Sequence, residues 1–154
     1  MSSERDYEKK GTLSPLCCKI HLQRNAYMPK LITSKSAGYD LQTPVDFVIK
    51  ARDSCAIDVG FRMELPLGVY AKIENHSTMT KHQIVVASDV VDNNNYKNNL
   101  RVNLFNHGKK SRHFKRGDKI AQIILKKYCI IPVIQVNALG LNCDEEKQEE
   151  ETYV

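Results

Sequence analysis

Short apolar segments alternate with polar turn residues between residues 17 and 136. Within many segments the apolar residues recur at every second position, which is typical of a strand with one buried face. The pattern predicts strands at residues 18–22, 39–42, 55–64, 68–74, 84–91, 100–105, 119–127 and 131–136. Gly, Pro, Asn and Asp separate these segments, and helical periodicity is limited to one turn at residues 78–82. The chain is therefore predicted to be all-β, a double-sheet sandwich or barrel.

The two ends of the chain lack this pattern. Residues 1–16 are polar and charged, and residues 141–154 carry too much charge to offset their ordering entropy by burial. We therefore expect a flexible lead-in over residues 1–16, one β domain over residues 17–140 and a flexible acidic tail over residues 141–154. A chain of 154 residues suffices for one such domain and is too short for two.

The formal net charge of +5 is the sum of two opposed regions. The tail holds six acids and one base, which leaves 12 acids and 22 bases in residues 1–140. Part of the positive charge lies in Lys109-Lys-Ser-Arg112 and His113-Phe-Lys-Arg116. Phe114 is the only aromatic residue among these basic residues that could stack on a nucleobase. A solvated loop is therefore favoured there over nucleic-acid binding or nuclear import.

The location of the protein is predicted from what the sequence lacks. No run of apolar residues approaches the roughly 20 needed to span a bilayer, and the start lacks the apolar stretch of a signal peptide. The five cysteines have no Cys-x-x-Cys spacing, which favours reduced thiols over a disulfide framework or a zinc site. We expect an intracellular protein of the cytoplasm or nucleus with no membrane contact.

Two groups of residues carry candidate acids. Residues 36–41 place small residues and Asp40 at a strand entry, where backbone can approach a ligand closely. Residues 90–100 form an amide-rich hairpin with Asp92 at its base, a candidate general base. Taken alone, each group also fits an ordinary turn or hairpin tip.

A third group, residues 114–125, turns tightly at Gly117-Asp118 and continues as an apolar strand. Gln122 is a polar residue on that strand. If it is buried, it needs a hydrogen-bond partner or a ligand.

In this order and spacing, the three groups resemble motifs of the trimeric dUTPase family, a jelly-roll fold that hydrolyses dUTP to dUMP and pyrophosphate with Mg²⁺. The likeness runs from about residue 19 to about residue 139. It is carried by Ala37-Gly-Tyr-Asp-Leu41, Val90-Val-Asp92, Tyr96, Val102-Asn-Leu-Phe-Asn106 and Gly117-Asp-Lys-Ile-Ala-Gln122.

The resemblance implies an all-β, dUTPase-like jelly-roll homotrimer and a set of site residues. Asp92 corresponds to the carboxylate that activates water, and Asp40 is the second candidate catalytic residue. Tyr96 corresponds to the ring that stacks under the deoxyribose. Gln122 and Asn95 join Tyr96 as candidate substrate-binding residues, and no residue is expected to bind a metal directly.

The chain departs from the family pattern at the phosphate-binding motif. The family reads Pro-Arg-Ser-Gly-Leu, whereas this chain reads Glu74-Asn-His-Ser-Thr78. The degenerate phosphate-grip positions are thus Asn75 for Arg, His76 for Ser, and the adjoining Ser77. A neutral amide cannot replace the bidentate bonds of an Arg, and Glu74 would repel a triphosphate.

Two further departures affect the nucleotide. Three residues separate Asp92 from Tyr96 where the family has two, which alters the hairpin register. The family's Gly-rich C-terminal arm, which closes over the nucleotide of a neighbouring subunit, is replaced here by the acidic stretch of residues 141–154. An acidic arm opposes triphosphate binding.

The last four residues, Glu151-Thr-Tyr-Val154, match a class I PDZ ligand. In such a ligand Val154 fills an apolar pocket, its carboxylate meets backbone amides, and Thr152 makes a side-chain hydrogen bond, with Tyr153 between them. The favoured hypothesis is therefore a dUTPase-like pseudoenzyme, plausibly viral and without a cofactor, that binds PDZ-domain proteins through its tail.

An active, divergent dUTP diphosphatase is the alternative hypothesis. In it, Asp40, Asp92, Tyr96 and Gln122 act with Mg²⁺, and other basic residues hold the triphosphate. A third and weaker hypothesis is binding of dUTP or dUMP without turnover.

Overall fold

The computed structural model describes residues 16–92 and 96–140. The expected lead-in lies outside these residues except for Leu16. Asn95 and the whole acidic tail, including Thr152, Tyr153 and Val154, also lie outside them.

Eleven strands and one short helix form in the described part of the chain. They are β1 (Lys19–Leu22), β2 (Tyr39–Gln42), β3 (Phe47–Ile49), β4 (Ser54–Asp58), β5 (Phe61–Glu64), β6 (Val69–Glu74), α1 (Ser77–Thr80), β7 (Ile84–Val86), β8 (Asp89–Val91), β9 (Arg101–Asn106), β10 (Arg112–Phe114) and β11 (Lys119–Lys127). The predicted all-β class is confirmed.

The strands pair antiparallel in four sheets, of which two are large enough to build a core. The four-stranded sheet has the order β2-β11-β6-β8, and the three-stranded sheet has the order β4-β9-β7. Strands β1 and β5 pair with each other, as do β3 and β10. Both larger sheets contribute to one hydrophobic cluster, for example Ile73 and Ile123 from the first sheet and Val102, Leu104 and Ile84 from the second.

The strand boundaries follow the sequence where alternation is regular. Strands β2 and β11 have the predicted bounds, and β9 alternates exposed and buried residues along its whole length. The predicted strand over residues 55–64 is instead two strands, because the chain turns at Gly60 with a φ of 76°. A Cβ at Gly60 would lie 2.6 Å from the Cβ of Ala26, so both the conformation and the space require glycine there.

Other differences concern short or unpartnered segments. The predicted strand over residues 84–91 is divided into β7 and β8, and β3 and β10, each of three residues, were not predicted. The single helical turn is confirmed, although it begins at Ser77. The predicted strand over residues 131–136 is wrong, because that segment pairs with no strand among the described residues.

The four described cysteines, Cys17, Cys18, Cys55 and Cys129, are free thiols. Burial raises the pKa of the Cys18 and Cys55 thiols above the ordinary value. These two groups are therefore protonated, poorly nucleophilic thiols at neutral pH.

Candidate functional site

Three polar residues lie side by side across the four-stranded sheet. Gln122 of β11 pairs with Asp40 of β2 on one side and with Glu74 of β6 on the other. Directly paired residues of adjacent strands project to the same face of a sheet. The first and third sequence groups and the degenerate phosphate-binding motif therefore meet at one place.

Gln122 is held by its neighbours rather than left open. Its Nε2 donates to the backbone oxygen of Asn75 at 3.0 Å. A Cβ at Gly38 would lie 2.9 Å from the Oε1 of Gln122 and 3.2 Å from the backbone oxygen of Ile123. The glycine of the first group thus serves a close approach between β2 and β11.

His76 caps the single helical turn. Its Nδ1 accepts from the backbone N–H of Thr78 at 3.3 Å and lies 2.8 Å from the hydroxyl oxygen of Thr78. Its Nε2 lies 3.4 Å from the Oδ1 of Asp40. Because Nδ1 accepts, the hydrogen-bond network assigns the proton of the neutral ring to Nε2, where it faces the carboxylate.

Asp40 is buried, and a basic side chain lies near each of its carboxylate oxygens, although Oδ2 makes an ion pair and no hydrogen bond of good geometry among the described residues. Oδ1 faces His76, and Oδ2 lies 2.9 Å from the Nζ of Lys119. Burying a carboxylate is costly unless it is paired, and these two contacts pair it. Neither Lys119 nor the hydroxyl of Thr78 was predicted as part of the site. Lys119 follows the Gly117-Asp118 turn, so its place beside β2 depends on strand pairing that the sequence alone does not display.

Asn75, at the family's Arg position, is also used internally. Its Oδ1 accepts from the backbone N–H of Val86 at 2.7 Å, which ties the end of β6 to β7. Ser77 is exposed at the start of α1, and its backbone oxygen accepts from the hydroxyl of Thr80 at 3.1 Å. Of the three predicted phosphate-grip residues, Ser77 is exposed, Asn75 is partly buried and His76 is buried.

Asp92 lies away from Asp40, at the other end of the paired part of β6. Val91 pairs with Ala71, which is three residues from Glu74 along β6, and Asp92 follows Val91. A strand rises about 3.3 Å per residue, so this register places Asp92 roughly 10 Å or more from Asp40 and its partners His76 and Lys119. Tyr96 is half-exposed, with the Nζ of Lys97 at 5.8 Å from the centre of its ring. One chain therefore does not bring all the predicted site residues together.

A model of the dUTPase family matches residues 24–149 of this chain. The chain belongs to the dUTPase family.

Curated dUTPases are similar over most of this chain. The chain is 36% identical to the deoxyuridine 5'-triphosphate nucleotidohydrolase of Arabidopsis thaliana over 127 residues, covering 82% of this chain and 76% of that protein. It is 33% identical to the mitochondrial enzyme of Homo sapiens over 119 residues, covering 77% of this chain. The matched part spans only 47% of the human protein's length.

Solved dUTPase structures share the fold. A mutant dUTPase of phage phi11 of S. aureus, described with a structural Mg(II) ion, superposes with a TM-score of 0.75 at 18% identity, covering 81% of this chain and 99% of that one. The dUTPase of Staphylococcus bacteriophage 80alpha with dUPNHPP also gives a TM-score of 0.75 at 18% identity, with coverage of 81% and 90%. The predicted dUTPase-like jelly roll is thereby confirmed.

The dUTPase turn that carries Gly117-Asp118 is fixed by a carboxylate outside the motifs. Asp46 accepts from the backbone N–H of Arg116 at 2.7 Å and from the Nζ of Lys115 at 3.2 Å. The Arg116 N–H, followed by the Lys115 ammonium, holds the pKa of Asp46 below its usual range.

No helix among the described residues is both long and apolar enough to cross a membrane.

Proposed function

We propose that this dUTPase-family chain has lost dUTP hydrolysis and works as an interaction protein. One observation carries the proposal: two of the three side chains at the predicted phosphate-grip positions, those of Asn75 and His76, are engaged in contacts within the chain itself. Pyrophosphate release from dUTP in the presence of Mg²⁺ tests it directly.

The first support is that Asn75 carries no charge and already hydrogen-bonds within the chain. A phosphate-gripping Arg supplies two parallel, charge-assisted hydrogen bonds. Asn75 has no charge, and its one side-chain acceptor is satisfied by the Val86 N–H. Glu74 beside it adds a carboxylate where a triphosphate would lie, although Lys72 forms an ion pair with that carboxylate.

The second support is the state of Asp40. Its carboxylate is paired with His76 and Lys119 inside the chain. A nucleotide or its hydrated metal would have to displace one of these partners. Breaking a buried pair leaves an uncompensated charge, so such displacement opposes binding.

The alternative remains a divergent active dUTP diphosphatase. It would use Asp92 to activate water and Gln122 and Tyr96 to hold the substrate, with Mg²⁺ brought by the phosphates. No group of three or more His, Cys, Asp or Glu residues able to hold a metal lies within residues 16–92 and 96–140.

A homotrimer is part of the proposal, and the chain after β11 supports self-association. Residues 129–136, which we call the apolar arm, pair with no strand among the described residues, and all of them except Val136 are exposed. Ile130 is 84% exposed, Ile131 70% and Val133 95%. So many large apolar side chains in one exposed segment indicate an interface. In such an assembly Asp92 of one copy can lie next to Asp40 of another, whereas the strand register separates the two residues within one chain.

The apolar arm gives a test of assembly. We expect sedimentation equilibrium at micromolar concentration to give three times the chain mass, and I131D/V133D to give the monomer mass, because two charges cannot be buried in the interface. L67D is the matched control, since Leu67 is 89% exposed in a turn outside the arm. A monomeric native protein, or a double variant that stays trimeric, would refute this role of the arm.

The interaction itself is proposed to run through the C-terminus. Thr152, Tyr153 and Val154 lie outside the described residues, so support comes from the sequence match to a class I PDZ ligand. A trimer would present three such tails, and linked ligands gain avidity without any new contact. The related phage 80alpha dUTPase is described as controlling transfer of virulence genes, so a role besides nucleotide hydrolysis has a parallel on this fold.

Deletion of Val154 tests the tail. Capture of the full-length protein by one or more members of a panel of purified PDZ domains should be lost, since both the apolar side chain and the correctly placed carboxylate go. The control is E149A, which removes a tail charge outside the four-residue motif. The proposal is falsified if the native protein binds no domain of the panel, or if the deletion variant binds equally well.

A further inference from the structure

Strand β10 carries an arginine on its buried side. Side chains alternate between the two faces of a strand, so Arg112 shares a face with Phe114. Phe114 is buried and stacks on Phe47 with ring centres 4.7 Å apart. Across the pair, Arg112 lies opposite Ile49, which is 1% exposed. A charged residue therefore occupies an inward position that the strand pattern reserves for an apolar one.

The guanidinium of Arg112 has no acceptor in the described part of the chain. Its Nε is fully buried and makes no hydrogen bond there. None of the ion pairs found among those residues includes it. Arg112 as a whole is only partly buried, so its terminal nitrogens can reach solvent, but the buried Nε cannot, and buried polar groups nearly always have a partner. An anion bound from outside would supply the acceptor that the Nε–H of Arg112 lacks.

A cleft next to Arg112 has room for that anion. Its volume is about 630 Å³, and it lies between the helical turn, β10 and the Gly117-Asp118 turn. Besides Arg112, its lining residues with side-chain hydrogen-bond donors include Ser111, His82 and Lys119. Thr78 also lines it, but its hydroxyl lies 2.8 Å from the Nδ1 of His76. These residues come from separate segments of the chain.

The electrostatics of the cleft favour a negative ligand. Residues 109–116 hold five Lys and Arg residues and no acid. One acid, Asp118, does line the cleft, but its Oδ2 accepts from the backbone N–H of Lys115 at 2.8 Å. Lys119 is shared with Asp40, which leaves Arg112 as the one lining Arg or Lys side chain without a carboxylate partner among the described residues.

We propose that this cleft binds the phosphate group of a small phosphorylated ligand, with Arg112 as its principal contact. Arginine matches the oxyanions of both carboxylates and phosphates. More than two donor residues from separate segments suit a tetrahedral anion with three or four acceptor oxygens better than a planar carboxylate with two. The basic segment that the sequence left as a solvated loop thereby acquires a role.

The cleft is distinct from the family's phosphate-grip positions. Those positions, Asn75, His76 and Ser77, do not line it, whereas Thr78 and His82 do. Two residues that line the cleft also contact the other place. The hydroxyl of Thr78 lies 2.8 Å from the Nδ1 of His76, and the Nζ of Lys119 lies 2.9 Å from the Oδ2 of Asp40. Binding in the cleft does not require dUTP hydrolysis, so it stands or falls separately from the function proposed above.

The test compares R112Q with K110Q by calorimetry, using inorganic phosphate as the probe. K110Q removes the same charge two residues away, from a side chain that does not line the cleft. Phosphate affinity should fall at least about tenfold in R112Q and stay within about twofold in K110Q, as expected for loss of a charge-assisted bond. Equal loss in both variants would mean that only the overall positive charge matters, and would overturn the proposal.

Thermal unfolding provides a second measurement that also reports folding. Phosphate at ten times its dissociation constant should raise the native midpoint by about 2 to 5 °C relative to sodium chloride of equal ionic strength. R112Q should fold with an unchanged or higher midpoint in phosphate-free buffer, because a buried N–H without a partner has been removed, and should lose the phosphate response. A response that persists in R112Q would place the phosphate elsewhere.

Competition experiments with dUMP and deoxyuridine distinguish a site for free phosphate from a site for a phosphate ester. If the ligand is an ester, dUMP should displace phosphate and should be weakened by R112Q to the same extent, whereas deoxyuridine should do neither. If dUMP fails to compete, the cleft is a site for free phosphate. Binding of dUMP that is insensitive to R112Q, with no phosphate binding by the native protein, would refute the site.

Discussion

Supplied with dUTP and Mg²⁺, the purified protein should release pyrophosphate at below about 0.01 per second, at least about 10³-fold under the roughly 10 per second typical of enzymes. Loss of one preorganised donor to the developing charge costs about 10²-fold to 10³-fold. Here the Arg position holds Asn75 and the Ser position holds His76, and both side chains are engaged within the chain. Their effects fall on the same phosphates, so the combined loss exceeds that of either alone.

D92N is the matched control for this measurement. If a trace of pyrophosphate comes from this active site, the substitution should abolish it, because an amide cannot accept a proton from water. A trace that is unchanged in D92N comes from a contaminant. Turnover by the native protein at about 1 to 10³ per second, lost in D92N, would instead establish the active alternative.

The strands that the sequence predicted well have regular alternation and clear punctuation. In β9 every second residue from Val102 to Asn106 is buried, and turn residues flank β2 and β11. Strand β3 was missed because three residues cannot display a period of two. The segment over residues 131–136 has the composition of a strand, but a strand also needs a partner, which composition cannot supply. Its exposure is therefore informative about assembly.

The candidate site was predicted as a set of positions and not as a set of contacts. The sequence indicated that Asn75 and His76 replace phosphate-binding residues. It did not indicate that Asn75 would accept a hydrogen bond from the backbone N–H of Val86 or that His76 would cap α1. Such contacts depend on where β7 and β2 lie, which is a long-range property. Arg112 is different, because alternation with Phe114 would have placed it inward had β10 been recognised.

In the sequence, Asn106 stands out only as the last residue of a family motif. In the structure, its side chain connects several loops. It is 2% exposed. Its Nδ2 lies within 3.2 Å of the backbone oxygens of Ile49, Lys50 and Lys110, and its Oδ1 accepts from the backbone N–H of Gly108 at 2.9 Å. One side chain thus joins the loops that follow β3 and β9 to the end of its own strand.

N106A should lower the free energy of unfolding by about 3 to 5 kcal/mol, a large part of the roughly 5 to 15 kcal/mol typical of a domain. Each lost bond contributes about 1 kcal/mol, and the backbone groups left buried without partners add a desolvation cost. N103A is the control, since Asn103 is exposed on the same strand and should change stability by less than about 0.5 kcal/mol. Urea unfolding at one fixed protein concentration measures both, because assembly makes stability depend on concentration. Equal effects of the two substitutions would show that water replaces the Asn106 bonds, and that the loops are held by apolar packing alone.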